Sequence, residues 1–157
     1  VYARELVEGL KAVEYLSGSL NRDQYLKRFV PDYPVALYMN QHLSKNSKTY
    51  LVLTGNRFYY FNTPVVSRGH TSANEFISWV KQASSPEALA GMMADRGYTH
   101  LLVHLGRLSD LANPSLSPPE QVRLHQFMQS NLTPLISDRG TTLFELKLAP
   151  ALVNNTP

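Results

Sequence analysis

Three groups of residues in this 157-residue chain could do chemistry. The first is Gly55-Asn56-Arg57-Phe58-Tyr59-Tyr60, which follows an apolar run at residues 49–54. If that run is a strand of an open α/β sheet, the segment lies beyond its carboxyl end, where such sheets bind ligands. Arg57 would then clamp a phosphate or carboxylate with its planar fork of N–H donors. Tyr59 or Tyr60 would stack on a ring. The same residues also fit packed aromatics beside a solvated arginine. The second group, Arg68-Gly69-His70-Thr71-Ser72, reads as a polar loop running into a helix N-terminus, which favours an anion. An ordinary capping loop has the same composition. The third is the histidine set His42, His70, His100, His104 and His125. On a helix, the spacing of His100 and His104 suits a shared metal ion. Their surroundings read as a strand, where that spacing separates them by about 13 Å, too far for one ion. His104 ends that strand and is the one placed for a ligand role, although a satisfied strand-end histidine fits equally.

Other chemistries lack their residues. Neither GxGxxG nor GxxxxGK[ST] occurs, so the nucleotide fingerprints are missing. A GxSxG elbow is missing too. With no cysteine, thiolate nucleophiles, disulfides and Cys-based metal sites are excluded. Glu75 and Glu87 suit first turns of helices; Asp95, Asp110, Glu120 and Asp138 suit helix ends, loops and turns. The sequence therefore predicts no catalytic residue, no metal site and no cofactor within this chain.

The elements that would position these groups follow from periodicity and punctuation. Residues 1–16 carry Leu6, Leu10 and Val13 at helical spacing, ended by Gly18. A second helix is predicted over 21–29, and a third over 34–43 with Val35, Leu37, Tyr38 and Leu43 as its apolar side. The run 49–54 reads as a strand buried on both faces. Residues 57–62 fit either a return strand or one helical turn before a short strand at Val65-Val66. Thr71 or Ser72 would cap a helix carrying Phe76, Ile77, Trp79 and Val80. Ser85, Pro86 and Gly97 punctuate the next helix, as N-cap, first helical residue and terminator. A second buried strand is predicted over 98–104, then a loop with a short helical turn over 106–116. Ser117-Pro118-Pro119-Glu120 has capping-box spacing and opens a helix to about residue 132, using Val122, Leu124, Phe127 and Met128. Leu135-Ile136 and a half-exposed strand over 142–148 flank Asp138-Arg139-Gly140, a hairpin signal. Strands separated by helices imply parallel crossovers. The expected fold is α/β: a three-layer Rossmann-like sheet, mostly parallel, with N-terminal helices and a C-terminal antiparallel hairpin.

One domain is the default at this length, and such a chain can bury roughly 70% of its unfolded surface. The reading divides the chain into a linking helix over 1–18, one α/β domain over 19–149 and a frayed tail over 150–157. Charged residues make up 17%, below the roughly 25% that is typical. This suits a surface partly covered by a partner or lying near a membrane, and equally one filled by uncharged polar groups. Net charge is +3, but the basic residues are scattered and form no stripe for nucleic acid. No apolar run approaches the roughly 20 residues of a membrane span. Val1 stands where a methionine would start a protein and already lies in a helical pattern, which reads as a piece of a longer chain. Asn131-Leu132-Thr133 is an N-glycosylation sequon.

Several segments together resemble a known family. They are Tyr25-Leu26, Tyr38-Met39-Asn40, Tyr50-Leu51-Val52-Leu53-Thr54-Gly55 with Arg57 and Tyr59-Tyr60, Gly97-Tyr98-Thr99-His100-Leu101-Leu102-Val103, and Leu143-Phe144-Glu145-Leu146. This pattern, spread over about residues 20–148, resembles the C-terminal extracytoplasmic domain of bacterial polytopic membrane glycosyltransferases. Those are GT-C type proteins similar to dolichyl-phosphate-mannose-protein mannosyltransferases and aminoarabinose transferases. The resemblance implies a parent protein that moves a sugar from a polyprenyl-phosphate donor at the periplasmic face of the bacterial inner membrane. Its catalytic acid would lie in the membrane part, so none is carried over to this chain. The partners implied are that membrane portion and the sugar donor or acceptor. The helix from Val1 would follow the last span. Two other readings stay open: an interaction module of a different membrane protein, and a free-standing α/β enzyme using Arg57, His70 and His104.

Overall fold

The computed structural model describes residues 12–55 and 57–147; the expectations for residues 1–11 and 148–157 lie outside them. The predicted α/β architecture is present. Five strands, β1 (Thr49–Val52), β2 (Val65–Val66), β3 (His100–His104), β4 (Leu132–Asp138) and β5 (Thr141–Leu146), form one sheet in the order β2-β1-β3-β5-β4. β2, β1 and β3 run parallel, and β5 and β4 complete the sheet antiparallel. Seven α-helices accompany it among the described residues: α1 (Ala12–Leu16), α2 (Arg22–Phe29), α3 (Tyr33–His42), α4 (His70–Gln82), α5 (Pro86–Ala94), α6 (Leu105–Ser115) and α7 (Pro118–Ser130). A 3-10 turn at Phe58–Tyr60 precedes β2, the second of the two alternatives at that segment.

The strand pleat sorts side chains into two cores. Tyr50, Val52, Leu101, Val103, Phe144 and Leu146 face α4 to α7. Leu51, Leu102 and Leu143 face Val35 and Met39 of α3. This is the three-layer arrangement, and it is why the centre of the sheet reads as continuous apolar runs.

Local chemistry explains most element ends. Asn21 Oδ1 accepts from Gln24 N at 2.9 Å, and Gln24 Oε1 accepts from Asn21 N at 3.0 Å, a reciprocal cap on α2. Ser85 Oγ accepts from Ala88 N at 3.1 Å, with Pro86 at the first position of α5. Glu120 reaches back to Ser117, accepting from its N at 2.7 Å and its Oγ at 2.8 Å.

Five details differ from the sequence reading. The stretch read as a loop over 106–116 is the helix α6: Leu105, Leu108 and Ala112 form a helical stripe, with Leu108 and Ala112 buried. Pro114 falls in its last turn. α4 begins at His70 behind Gly69 at φ +61°, rather than at Thr71 or Ser72. β1 stops at Val52 because Leu53 turns to φ +60°. Val122 faces solvent, and β5 is covered on both sides over Thr141–Phe144. Asn131 of the sequon is buried, so a glycan could not reach it in the folded chain.

The β4–β5 turn is a two-residue loop. Asp138 pairs with Thr141, leaving Arg139 (φ +44°) and Gly140 (φ +84°) at the tip, the left-handed pair that matches strand twist. Arg139 donates to the carbonyls of Lys27 (2.8 Å), Arg28 (3.2 Å) and Val30 (3.2 Å) at the end of α2, where a cation complements the helix dipole. α2 buries no residue fully, so this tip holds it to the sheet. Arg139→Ala should loosen α2 by roughly 1–2 kcal/mol, read as faster amide exchange over residues 22–30 with the sheet unchanged.

Candidate functional site

At the carboxyl ends of β1 and β2 lies a cleft of about 290 Å³, lined by Leu53 to Gly55, Ser67, Gly69, His70 and Arg107. Several features converge to form it. Leu53 leaves the strand in a left-handed conformation that costs a branched residue on the order of 1–3 kcal/mol. Arg107 Nη1 donates to Leu53 O at 3.2 Å, pinning that turn and holding the guanidinium at the rim. Gly69 precedes α4, its N–H donating to Ser67 Oγ at 3.1 Å. Ser72 Oγ accepts from Arg68 N, while Thr71 N and Ser72 N donate to Arg68 O and Gly69 O. Thr54 is buried, and its Oγ1 has no hydrogen-bond partner.

Of the candidate ligand-binding residues Arg57, Tyr59, Tyr60, Arg68, His70 and His104, all described, only His70 lines this cleft, joined by Arg107, which sequence reasoning missed. Arg68 is exposed beside it. Arg57 turns elsewhere: its Nη1 donates to Pro31 O at 3.2 Å and lies 3.8 Å from Asp32 Oδ2. Tyr60 packs edge-on against Tyr33, with ring centroids 5.1 Å apart, and its carbonyl accepts from Asn40 Nδ2 at 2.7 Å. Tyr59 is exposed and contacts Tyr60. Arg57, Tyr59 and Tyr60 thus belong to the junction with α3. His104 caps α6: its Nδ1 accepts from Arg107 N at 3.3 Å. Its ring lies so close to the hairpin that a Cβ on Gly140 would fall 3.1 Å from Cε1. Of the polar rim expected from Arg57 through His70 to His104, Arg57 thus meets the start of α3, His70 lines the cleft, and His104 caps α6, whose Arg107 also lines the cleft.

Buried titratable groups gather beneath the α4 face. Tyr50 donates to Ser72 O (3.0 Å) and Glu75 Oε2 (2.9 Å). Burial, with the bond to Glu75, pushes its phenol far above the usual value. Burial likewise raises Tyr98. On the opposite face, burial lowers His100, whose Nδ1 lies 2.7 Å from Thr99 Oγ1. Among the described residues no three His, Asp or Glu side chains converge as a metal site would require. A second hollow of about 680 Å³ runs between α6 and α7, walled mainly by apolar side chains including Leu105, Leu108, Val122, Met128 and Phe144. No described helix is long and apolar enough to cross a membrane.

No family model matches the chain, and no curated protein does. Among solved structures, the chain is similar to the C-terminal globular domain of an oligosaccharyltransferase from Archaeoglobus fulgidus. Identity is 11% and the TM-score 0.49, covering 82% of this chain and 99% of that one.

Proposed function

We propose that this chain is an extracytoplasmic accessory domain of a GT-C type membrane glycosyltransferase, one that moves a sugar from a polyprenyl-phosphate donor. The observation that supports this most is the position of the resembling segments. Tyr50 to Val52, His100 to Val103 and Leu143 to Leu146 occupy β1, β3 and β5, three adjacent strands at the centre of the sheet. These three resembling segments thus lie side by side in the fold, while Tyr25-Leu26 and Tyr38-Met39-Asn40 fall on α2 and α3. In this reading the domain sits on the periplasmic side of a bacterial inner membrane, tethered by the membrane portion of its own chain. It covers the membrane active site or helps select the acceptor, and the bond-forming chemistry belongs to the membrane portion.

Two measurements test this. The coding sequence upstream of Val1 should encode several hydrophobic spans; a soluble domain there would remove the reading. In the full-length protein, deleting residues 20–148 should abolish transfer or change acceptor choice while the membrane part still inserts. Unchanged activity and unchanged acceptor choice would refute the role.

A further inference from the structure

The hollow of about 680 Å³ between α6 and α7 is walled by Leu105, Leu108, Met128 and Phe144 among others, and no Asp, Glu, Lys or Arg lines it. Leu105 is 39% exposed there. Apolar walls of this kind gain free energy when something covers them. The chain itself brings a cover to the edge of the hollow. Lys147 leaves β5 beside the end of α7, its N–H donating to Asn131 O at 2.8 Å. Met128 and Gln129, which line the hollow, lie in the turn before Asn131, about 3 to 5 Å along the helix axis. Gln121, at the other end of that wall, is about 15 Å from Asn131 by the same rise. The residues after Lys147 read Leu148-Ala149-Pro150-Ala151-Leu152-Val153, without a charge, and then turn polar at Asn154-Asn155-Thr156. Six residues reach up to about 20 Å when extended, enough to run the length of the wall. Pro150 biases the residue before it to extended backbone. Residues 1–11 are placed less well. They join α1, which stacks on α2 through Tyr15 and Tyr25, and α2 is tied to α3 by the bond from Tyr33 to Asp23. α3 packs on the opposite face of the sheet from the hollow.

We propose that residues 148–153 lie along the hollow between α6 and α7 and close it as an intramolecular strap. β5 sends Phe144 and Leu146 into the layer under α4 to α7, and the pleat directs Leu148 to the same side. The apolar stretch is then set against apolar walls, and the polar residues from Asn154 onward emerge beyond Gln121. The strap goes beyond the glycosyltransferase reading and does not depend on it.

The test is a spin label on the isotope-labelled 157-residue chain, read by NMR. The chain has no cysteine, so Thr156→Cys takes a nitroxide at one place, outside the apolar stretch. The label should broaden the amides of Leu105, Leu108 and Gln121 and spare those of Val35 and Met39 across the sheet. Ala149→Asp combined with Ala151→Asp alters no described residue, so the fold is kept. Two carboxylates are costly to place against apolar walls, and this variant should reduce the broadening several-fold. Broadening confined to the amides around Asn131 and Lys147 would show a segment that hangs free, and would overturn the proposal. Broadening of the hollow that survives the two carboxylates would overturn it as well. So would broadening that arises only between a spin-labelled chain and a separate isotope-labelled one, because the occupant would then be a second copy.

Discussion

Phe127→Ala should remove roughly 3–5 kcal/mol from the stability of the domain, the cost of a large cavity where a phenyl ring was fully buried. Phe127 has no exposed surface and lies with its ring centroid 6.4 Å from that of Phe76, so it joins α7 to α4 above the sheet. A domain of this size has roughly 5–15 kcal/mol in total, so the variant would approach the unfolding threshold. Val122→Ala, one turn away on the same helix, should change stability by no more than about 0.5 kcal/mol, because Val122 is 55% exposed. Trp79 is the sole tryptophan and is buried in the same core. Its fluorescence during urea denaturation would report both variants. A loss below about 1 kcal/mol for Phe127→Ala would mean that α7 is not packed as described.

The second large effect is alkaline. A phenol whose folded pKa is raised stays protonated in the native state while the unfolded chain ionises near pH 10. Its contribution is therefore complete below about pH 10 and is lost as pH rises toward the folded value. Tyr50 and Tyr98 are both shifted this way, Tyr50 the more strongly. Each can contribute a slope of roughly 1.4 kcal/mol per pH unit. Tyr50→Phe should cost about 1–2 kcal/mol at neutral pH through the lost bonds to Ser72 and Glu75. It should also flatten the decline above pH 10, leaving the smaller parts due to Tyr98, Tyr33 and Tyr60, whose phenols are raised as well. Denaturation midpoints from about pH 8 to 11 would show both effects; an unchanged alkaline slope in Tyr50→Phe would refute the account.

The sequence was legible where causes are local. Ser85-Pro86, Ser117-Pro118-Pro119-Glu120 and Arg139-Gly140 carry their own start and turn chemistry, and the strands at 49–52 and 100–104 are apolar on both sides because both sides are covered. α6 was obscured by Gly106, Asn113 and Pro114, which read as breakers. Pro114 is tolerated because, in the last turn, the missing bond would have gone to Asp110, an exposed residue. The cleft was half legible. His70 announced itself beside Gly69 before a helix. Arg107 lies far along the chain in a stretch read as loop, and only the parallel pairing of β1 with β3 brings it to Leu53. Arg57 and Tyr60 meet Pro31, Asp32 and Tyr33 instead, because a strand-end rule does not say to which side the chain turns after Leu53.

The sheet's two outer strands bear on assembly. β2 is two residues long, and β4 carries Pro134, which lacks an N–H, next to a shift of register before Ile136. Neither edge offers a straight ladder of donors and acceptors onto which another chain could zip. Recruitment by strand addition, a common way for domains to capture extended peptides, is therefore disfavoured at both edges of the described sheet. A partner of the described residues would be met through helices and loop ends.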